Sequence, residues 1–429
     1  MRPPEQGEAT AGLSWSELSA LLVAMFAISV GYSVVLPILP FLVERLAGTA
    51  DAVTVSRHTG LLTGTYVLAI FLFAPLWGKL SDRQARRPVI LLGLTGFATT
   101  FTLFALFESL PLLYLGRFLA GLFAAAVAPA AYALVGDRAR SKEWRAYCFT
   151  LLNVAATAGF FVGPLLGGLV LRASRETALG GGKEFFLVPF LAAAGLALVA
   201  ALMIWGFVNE ATQRRTTEAV ARIDKPNKQT IILRLEAIAF VGALAIGAFE
   251  VGLSLRGKQT LGMDAYQIGM MFAECSIVML VVQALVFSPL IKPDVTRWFL
   301  TPSLVVLALS LVLVPLLSGY IATTFAVALI AASAGILPPI VTFWASLVAG
   351  KTQGADLGRI TAAASFGQAV GSAAGGLLFD ISFLPNATFN AAAIIVLTGV
   401  AASFGLPRLL VPRHDPGNAG IPAKRSRST

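Results

Sequence analysis

Runs of predominantly apolar residues long enough to cross a bilayer recur twelve times along the chain, and this constrains the fold more than any other feature. A segment needs about 20 such residues to span the hydrocarbon core. No water is available there for backbone N–H and C=O groups, so each segment has to satisfy them within itself as a helix. The spans read from the sequence are 16–46, 58–80, 87–108, 111–138, 143–172, 185–208, 230–256, 266–291, 297–318, 320–349, 356–381 and 386–409. The composition agrees: 57% of the residues are hydrophobic and 13% are charged, against about a quarter charged in soluble proteins. The expected fold class is therefore all-α, with twelve transmembrane helices.

A net charge of +10 would suit a nucleic-acid partner if it formed one patch, but its distribution excludes that class. Of the 32 Lys and Arg residues, 24 fall on the side that carries both termini. Arg45, Arg57, Arg172, Arg175, Lys183, Arg256 and Lys258 fall on the other, and Arg117 lies within a span. Such an asymmetry is a topology signal, and it predicts cytoplasmic termini for a multi-pass protein of the cell (inner or plasma) membrane. Met1 to Gly12 is polar and lacks the basic region and cleavage site of a secretory leader, so the first apolar run is expected to remain as a helix. The two cysteines, Cys148 and Cys275, offer no disulfide framework.

The one long polar connection divides the spans six and six. Expected units are a cytoplasmic segment 1–15, an N-terminal six-helix bundle 16–208, a cytoplasmic linker 209–229, a C-terminal bundle 230–409 and a disordered cytoplasmic tail 410–429. An internal repeat leaves matching landmarks at a fixed offset. Gly159, Gly163, Gly167 and Gly168 in the fifth span recur 208 residues later as Gly367, Gly371, Gly375 and Gly376, and Pro129 in the fourth span recurs as Pro339 in the tenth. Two pseudo-symmetric bundles follow.

Four signatures narrow the class. Gly159 to Gly168 reads G-x-x-x-G-P-x-x-G-G. Its glycines line one helical face and admit a neighbouring backbone, while Pro164 removes a backbone donor and bends the helix. Gly78-Lys79-Leu80-Ser81-Asp82-Arg83-Gln84-Ala85-Arg86-Arg87 joins the second and third spans. There Gly78 allows the end of the second span to touch another helix, Asp82 can cap or pair, and the basic cluster meets anionic head groups. The first span holds Gly31-Tyr32-Ser33-Val34-Val35-Leu36-Pro37-Ile38-Leu39-Pro40, and the fourth opens on Leu113-Tyr114-Leu115-Gly116-Arg117-Phe118-Leu119-Ala120-Gly121. Together these resemble the signatures of the major facilitator superfamily, and the fifth-span element resembles the antiporter motif of its twelve-helix drug:proton exporters. Two positions depart from the family pattern: Ala85 replaces its second loop glycine and Ala120 its glutamine. The resemblance implies that Gly78, Asp82, Arg83, Arg86 and Arg87 form a gate latch on the cytoplasmic side. It also implies that Arg117 takes part in proton coupling.

A proton carrier has to be an acid within the membrane. Glu274 in the eighth span reads as nearest the midplane, and Glu250 in the seventh as lying in the outer third. Glu236, Asp137, Glu108 and Asp380 lie near span ends, where solvated or capping roles suffice. The polar groups at depth, Tyr32, Tyr66, Tyr132, Asn153, Gln283, Trp344 and Gln368, are sparse among many phenylalanines. They suggest an apolar cavity for amphipathic or lipophilic solutes. Only two histidines, His58 and His414, and no metal or nucleophile constellation leave little for an enzyme or receptor reading, and no cofactor is expected. The expectation is a secondary active transporter, a proton-coupled antiporter exporting such solutes by alternating access. The alternative is a facilitator or symporter of a specific metabolite or lipid. Expected partners are the small-molecule substrate, protons and membrane lipids, with no nucleic acid and with a functional monomer. If Asp82 belongs to a latch, Asp82→Asn weakens the outward-open state, and labelling of cysteines placed in the cytoplasmic ends of the fifth and eleventh spans rises. Unchanged labelling would leave Asp82 an ordinary loop acid.

Overall fold

The computed structural model describes residues 13–83, 85–104, 106, 108–138, 142–176, 184–209, 228–286, 293–349, 353–379, 384 and 386–410. Most of the linker and all but the first residue of the predicted tail lie outside the described residues, as does Asp380. The described chain is helical: α1 (Trp15–Val35), α2 (Leu39–Ala47), α3 (Ala52–Arg83), α4 (Arg86–Phe104), α5 (Leu110–Arg138), α6 (Lys142–Glu176), α7 (Glu184–Phe207), α8 (Lys228–Leu255), α9 (Ala265–Val286), α10 (Leu300–Leu313), α11 (Tyr320–Ala349), α12 (Gln353–Leu377), α13 (Ala387–Ser403) and α14 (Leu406–Leu409).

Local chemistry explains the starts and breaks. Ser14 caps α1 reciprocally with Glu17, whose side chain returns to the Ser14 backbone, satisfying two of the helix's orphan donors. The first span is not one helix. Pro37 and Pro40 withhold two backbone donors, so α1 stops at Val35 and α2 begins with Pro40 in its first turn. The seventh span runs further than expected, because α8 continues into a π-helical turn over Arg256–Thr260. Among the described residues, eleven helical segments are long and apolar enough to cross a membrane. The remaining long helix, α12, is rich in Gly, Ala and Ser, and it packs on α8, α3 and α11.

Two hydrophobic cores form, one almost wholly from residues before 209 and one almost wholly from residues after 230. The glycine faces set the closest approaches within each half. A methyl group added at Gly159 would lie 2.4 Å from the Phe26 carbonyl oxygen, and one at Gly163 would lie 2.1 Å from Ser33 Oγ. Gly167 meets the Val34 carbonyl, so this face of α6 lies against α1. The repeat does the same on α12. Methyls at Gly367 and Gly371 would lie 2.2 and 2.0 Å from the carbonyl oxygens of Phe240 and Leu244, and Gly375 meets Ala248, all on α8. The fourth glycine of each set faces the opposite half: Gly168 meets Tyr266 of α9, and Gly376 meets Ser56 and Gly60 of α3. One sequence pattern thus serves two interfaces, helix to helix within a half and half to half across the molecule.

The contacts between halves lie at the centre and towards the face opposite the chain termini, here termed the distal face. There α3 packs on α12 and α6 on α9. At the terminal face, the ion pairs among the described residues each stay within one half: Arg86 with Asp137, Arg138 with Glu17, Lys228 with Asp356 and Arg359 with Glu236. Gly78, expected to touch another helix, has among the described residues no atom of another helix within 4 Å of where a methyl would project. In this conformation the halves are joined distally, and the terminal end of α3 is free at that glycine. The side chains of Asp82 and Arg83 lie outside the described residues.

Filling the glycine face is expected to break the packing. Gly163→Val and Gly371→Val each force branched side chains onto backbone or hydroxyl oxygen, an overpacking cost of about 1–3 kcal/mol. Membrane insertion should be retained, thermal stability in detergent should fall and transport should be lost. Wild-type stability and transport in both variants would contradict this packing.

Candidate functional site

The two bundles meet at mid-depth around Glu250 of α8, which is 4% exposed. The π-helical extension sets its depth: Glu250 lies ten residues before Thr260, about 15 Å along a helix at 1.5 Å per residue. Donors converge on the carboxyl from both halves. Tyr32 of α1 donates its hydroxyl to Glu250 Oε2 at 2.5 Å. Gln368 of α12 places Nε2 3.3 Å from Oε2 and 3.5 Å from Oε1, and 3.2 Å from the Tyr32 hydroxyl oxygen. The repeat explains the meeting: α12 and α6 are equivalent helices, and each is pressed by glycines against the first helix of its own half.

Arg117 of α5 supplies the positive charge. It is 1% exposed, so the guanidinium is held inside the protein and does not reach for the surface. Its Nε donates to the Leu62 carbonyl of α3 at 3.4 Å. Its Cζ lies 4.6 Å from the Tyr66 ring centroid and 5.8 Å from that of Tyr32. Nη1 and Nη2 are buried without hydrogen-bond partners, and the charge interacts electrostatically with Glu250. A buried cation this short of hydrogen bonds depends on ring faces and a nearby carboxylate. Tyr32 stacks on Tyr66 with centroids 5.1 Å apart, completing a cluster of Arg117, Tyr66, Tyr32, Gln368 and Glu250.

Aromatic side chains also pair across the interface, one of them, Phe160, against Tyr32. Phe160 of α6 lies 6.1 Å from Tyr32 and 6.4 Å from Phe272 of α9. Phe71 of α3 lies 5.2 Å from Phe366 of α12, which also neighbours Phe240 of α8 at 5.9 Å.

The remaining sequence candidates are elsewhere. Glu274 does not join the central cluster. Its Oε1 accepts from the Tyr320 hydroxyl at 3.0 Å, and its Oε2 is buried without a partner. It sits two residues, about 200°, beyond Phe272 around α9, on the side of the exposed Ile277 and Val281. Counting depth along a span cannot reveal this rotation. Tyr132 donates to Asn153 Oδ1 at 3.0 Å, an α5–α6 pair nearer the terminal face. Trp344 is core, donating Nε1 to Thr296 at 3.0 Å. Gln283 is half-buried on α9, apart from the central cluster. Arg86 pairs with Asp137 and also donates to Ser81 Oγ, and Arg87 donates to the Trp205 carbonyl. These basic loop residues therefore tie α3, α4, α5 and α7 together within the first half.

Comparison with known proteins agrees with this architecture. The chain is 26% identical over 393 residues to Multidrug resistance protein 1 of Bacillus subtilis, covering 90% of this chain and 94% of that protein. It is 24% identical over 370 residues to the quinolone resistance protein NorA of Staphylococcus aureus, covering 85% and 90%. A tetracycline resistance protein of class D from Salmonella ordonez is 36% identical over 192 residues, 45% of each chain. Among solved structures, the human organic anion transporter MFSD10 superposes with a TM-score of 0.69 at 19% identity, covering 94% of this chain and all of that one. A bacterial homologue of the lysosomal transporter Spinster, solved inward-facing and occupied, reaches 0.67 at 14% identity, covering 91% and 96%. The family model described as Major Facilitator Superfamily matches residues 21–346, and with that match over most of its length the chain belongs to this superfamily of membrane transporters.

Proposed function

We propose that the protein is a proton-coupled antiporter that exports small amphipathic or lipophilic molecules by alternating access of its two halves. The observation that carries this reading is the carboxyl of Glu250, buried at the interface between the halves with donors from both sides and Arg117 beside it. A carboxylate there is stable only while those contacts last. Separating the halves on the distal side takes Tyr32 away from Glu250, and a proton can then replace the lost donors. Return to the present conformation restores them and favours release of the proton towards the terminal face. One group thereby binds a proton in one state and yields it in the other, which is the requirement for coupling.

The terminal face is taken as cytoplasmic from the Lys and Arg bias, which makes the present conformation inward-facing. Proton release then goes to the cytoplasm while substrate enters from it. The relatives' names support the substrate class: multidrug, quinolone and tetracycline resistance proteins span chemically dissimilar, largely amphipathic compounds. The aromatic groups at the interface suit such solutes, because they offer apolar and π surface with few directed hydrogen bonds. The loop residues Gly78, Asp82, Arg83, Arg86 and Arg87 are assigned to the cytoplasmic latch, with Gly78 coming into contact when that side closes. The protein is proposed to act as a monomer, since both halves of the site come from one chain.

Proteoliposomes loaded with a pH gradient and assayed with ethidium, a fluorescent lipophilic cation, test this assignment. Glu250→Gln should abolish gradient-driven transport and leave ethidium binding measurable, whereas Glu274→Gln should keep gradient-driven transport. Full drive in Glu250→Gln would remove Glu250 as carrier, and loss only in Glu274→Gln would move the carrier to α9. Arg117→Met should lower gradient-driven transport at least tenfold. Arg117→Lys should not restore it, because an ammonium cannot lie over the Tyr66 ring and keep the Nε bond to Leu62 at the same time. Recovery in Arg117→Lys would show that charge alone suffices.

A further inference from the structure

Between Glu250 and the distal surface, α1 and α2 face α8 in a series of polar contacts spaced four residues apart. Tyr32 meets Glu250. One turn on, Ser254 Oγ lies 3.2 Å from the Leu36 carbonyl oxygen and 3.0 Å from its own helix's Glu250 carbonyl. One turn further, Lys258 Nζ donates to the Pro40 carbonyl at 3.1 Å and to the Glu44 carboxylate, and sits 4.9 Å from the Phe41 ring centroid. Residues 32, 36 and 40 thus face 250, 254 and 258, a constant separation of 218.

The prolines of the first span explain why a serine can engage a backbone there. Pro40 has no N–H, so the Leu36 carbonyl lacks the donor that the next helical turn would have supplied. Ser254 supplies a hydroxyl to that acceptor from the other half. The π-helical turn at Arg256–Thr260 adds a residue to the local repeat, a feature common at functional positions. It brings Lys258 over Pro40 and Gln259 to the Ala52 carbonyl, 3.2 Å from its Nε2.

We propose that Ser254 and Lys258 are positioning residues that couple the protonation of Glu250 to closure of the distal face. This rests on the assignment of Glu250 as carrier. Ionised, Glu250 accepts strongly from Tyr32 and Gln368, and the contact holds the inner end of the series together. Neutralised, it accepts more weakly, and the outer contacts then decide whether the distal face stays shut. The groups facing Glu250 are Tyr32 of α1, Gln368 of α12, Arg117 of α5 and Cys275 of α9, with Tyr66 of α3 behind Tyr32. On the proposed cycle the hydrogen bonds lost on opening outweigh the burial that opening relieves, so opening takes up a proton and acid favours opening. Weakening the closed state by any other route must move the midpoint of that opening to higher pH.

The test uses the full chain in lipid nanodiscs, with spin labels at Ala50→Cys and Thr260→Cys, two exposed positions on opposite halves of the distal face. Cys148 and Cys275 are buried. Pulsed electron resonance distances are recorded as pH is lowered. The protein with no further change should pass from a short to a longer distance. Ser254→Ala and Lys258→Met should each raise the open population about tenfold at a given intermediate pH, a shift of about one pH unit upward in midpoint. Ser254→Thr and Lys258→Arg should restore it. Pro40→Ala, which returns an N–H to compete for the Leu36 carbonyl, should shift the midpoint in the same direction as Ser254→Ala. Midpoints unchanged in both Ser254→Ala and Lys258→Met, with the pH response still abolished by Glu250→Gln, would overturn the coupling role and leave the carrier intact. A pH response that survives Glu250→Gln would overturn the carrier, whatever the outer variants do.

Discussion

The structure depends on one requirement: a carboxyl buried between two moving bodies has to be satisfied by groups that the motion can take away. Glu250 meets it by drawing Tyr32 from the first half and Gln368 from its own. Donors from α8's own half alone would leave the carboxyl binding the proton with similar strength in every conformation, and coupling would be lost. With Arg117 held in the first half by Leu62 and Tyr66, the electrostatic part of the contact also belongs to the interface. With Glu250 as the proposed carrier, protonation and conformation become linked quantities, each shifting the other by the same free energy.

Rigid halves are needed for such a contact to work as a switch, and the glycine faces provide them. Within each half the first helix is locked against the fifth by backbone-to-backbone approach, through Gly159, Gly163 and Gly167 on one side and Gly367, Gly371 and Gly375 on the other. The rearrangement is thereby confined to the contacts between halves. There too glycine matters: Gly60 against Gly376, and Gly168 against Tyr266, allow the distal ends to close tightly. The polar contacts that hold them shut are concentrated along α1, α2 and α8.

Much of this was legible in the sequence. The apolar runs predict the helices, and the 208-residue recurrence predicts the equivalence of α6 and α12, because packing that demands glycine leaves a pattern no side chain can mimic. Arg117 was legible as a charge within a span, and the structure places its guanidinium inside the protein. Depth on a helix was legible only approximately, and orientation around it hardly at all. Glu274 therefore read as the central acid, whereas the structure turns it towards Tyr320 and brings Glu250 to the interface. The π-helical turn that lengthens α8 has no simple sequence signature. Trp344 read as a cavity residue because it is one of the few polar groups at depth, and Thr296 takes up its N–H inside the core. Ser254 and Lys258 were missed because their partners are carbonyls, which every residue has. The one available signal was Pro40, whose missing donor marks the Leu36 carbonyl as an acceptor in need of a partner.

On the proposed cycle a single carboxyl, Glu250, changes protonation as the halves move. Infrared spectra of the membrane-reconstituted protein report this directly, since a protonated carboxyl has a C=O stretch well separated from that of a carboxylate. Lowering the pH should raise a carboxyl band in the protein, and that component should be absent from Glu250→Gln and present in Glu274→Gln. An unchanged band in Glu250→Gln would place the titrating proton on another group and contradict the account.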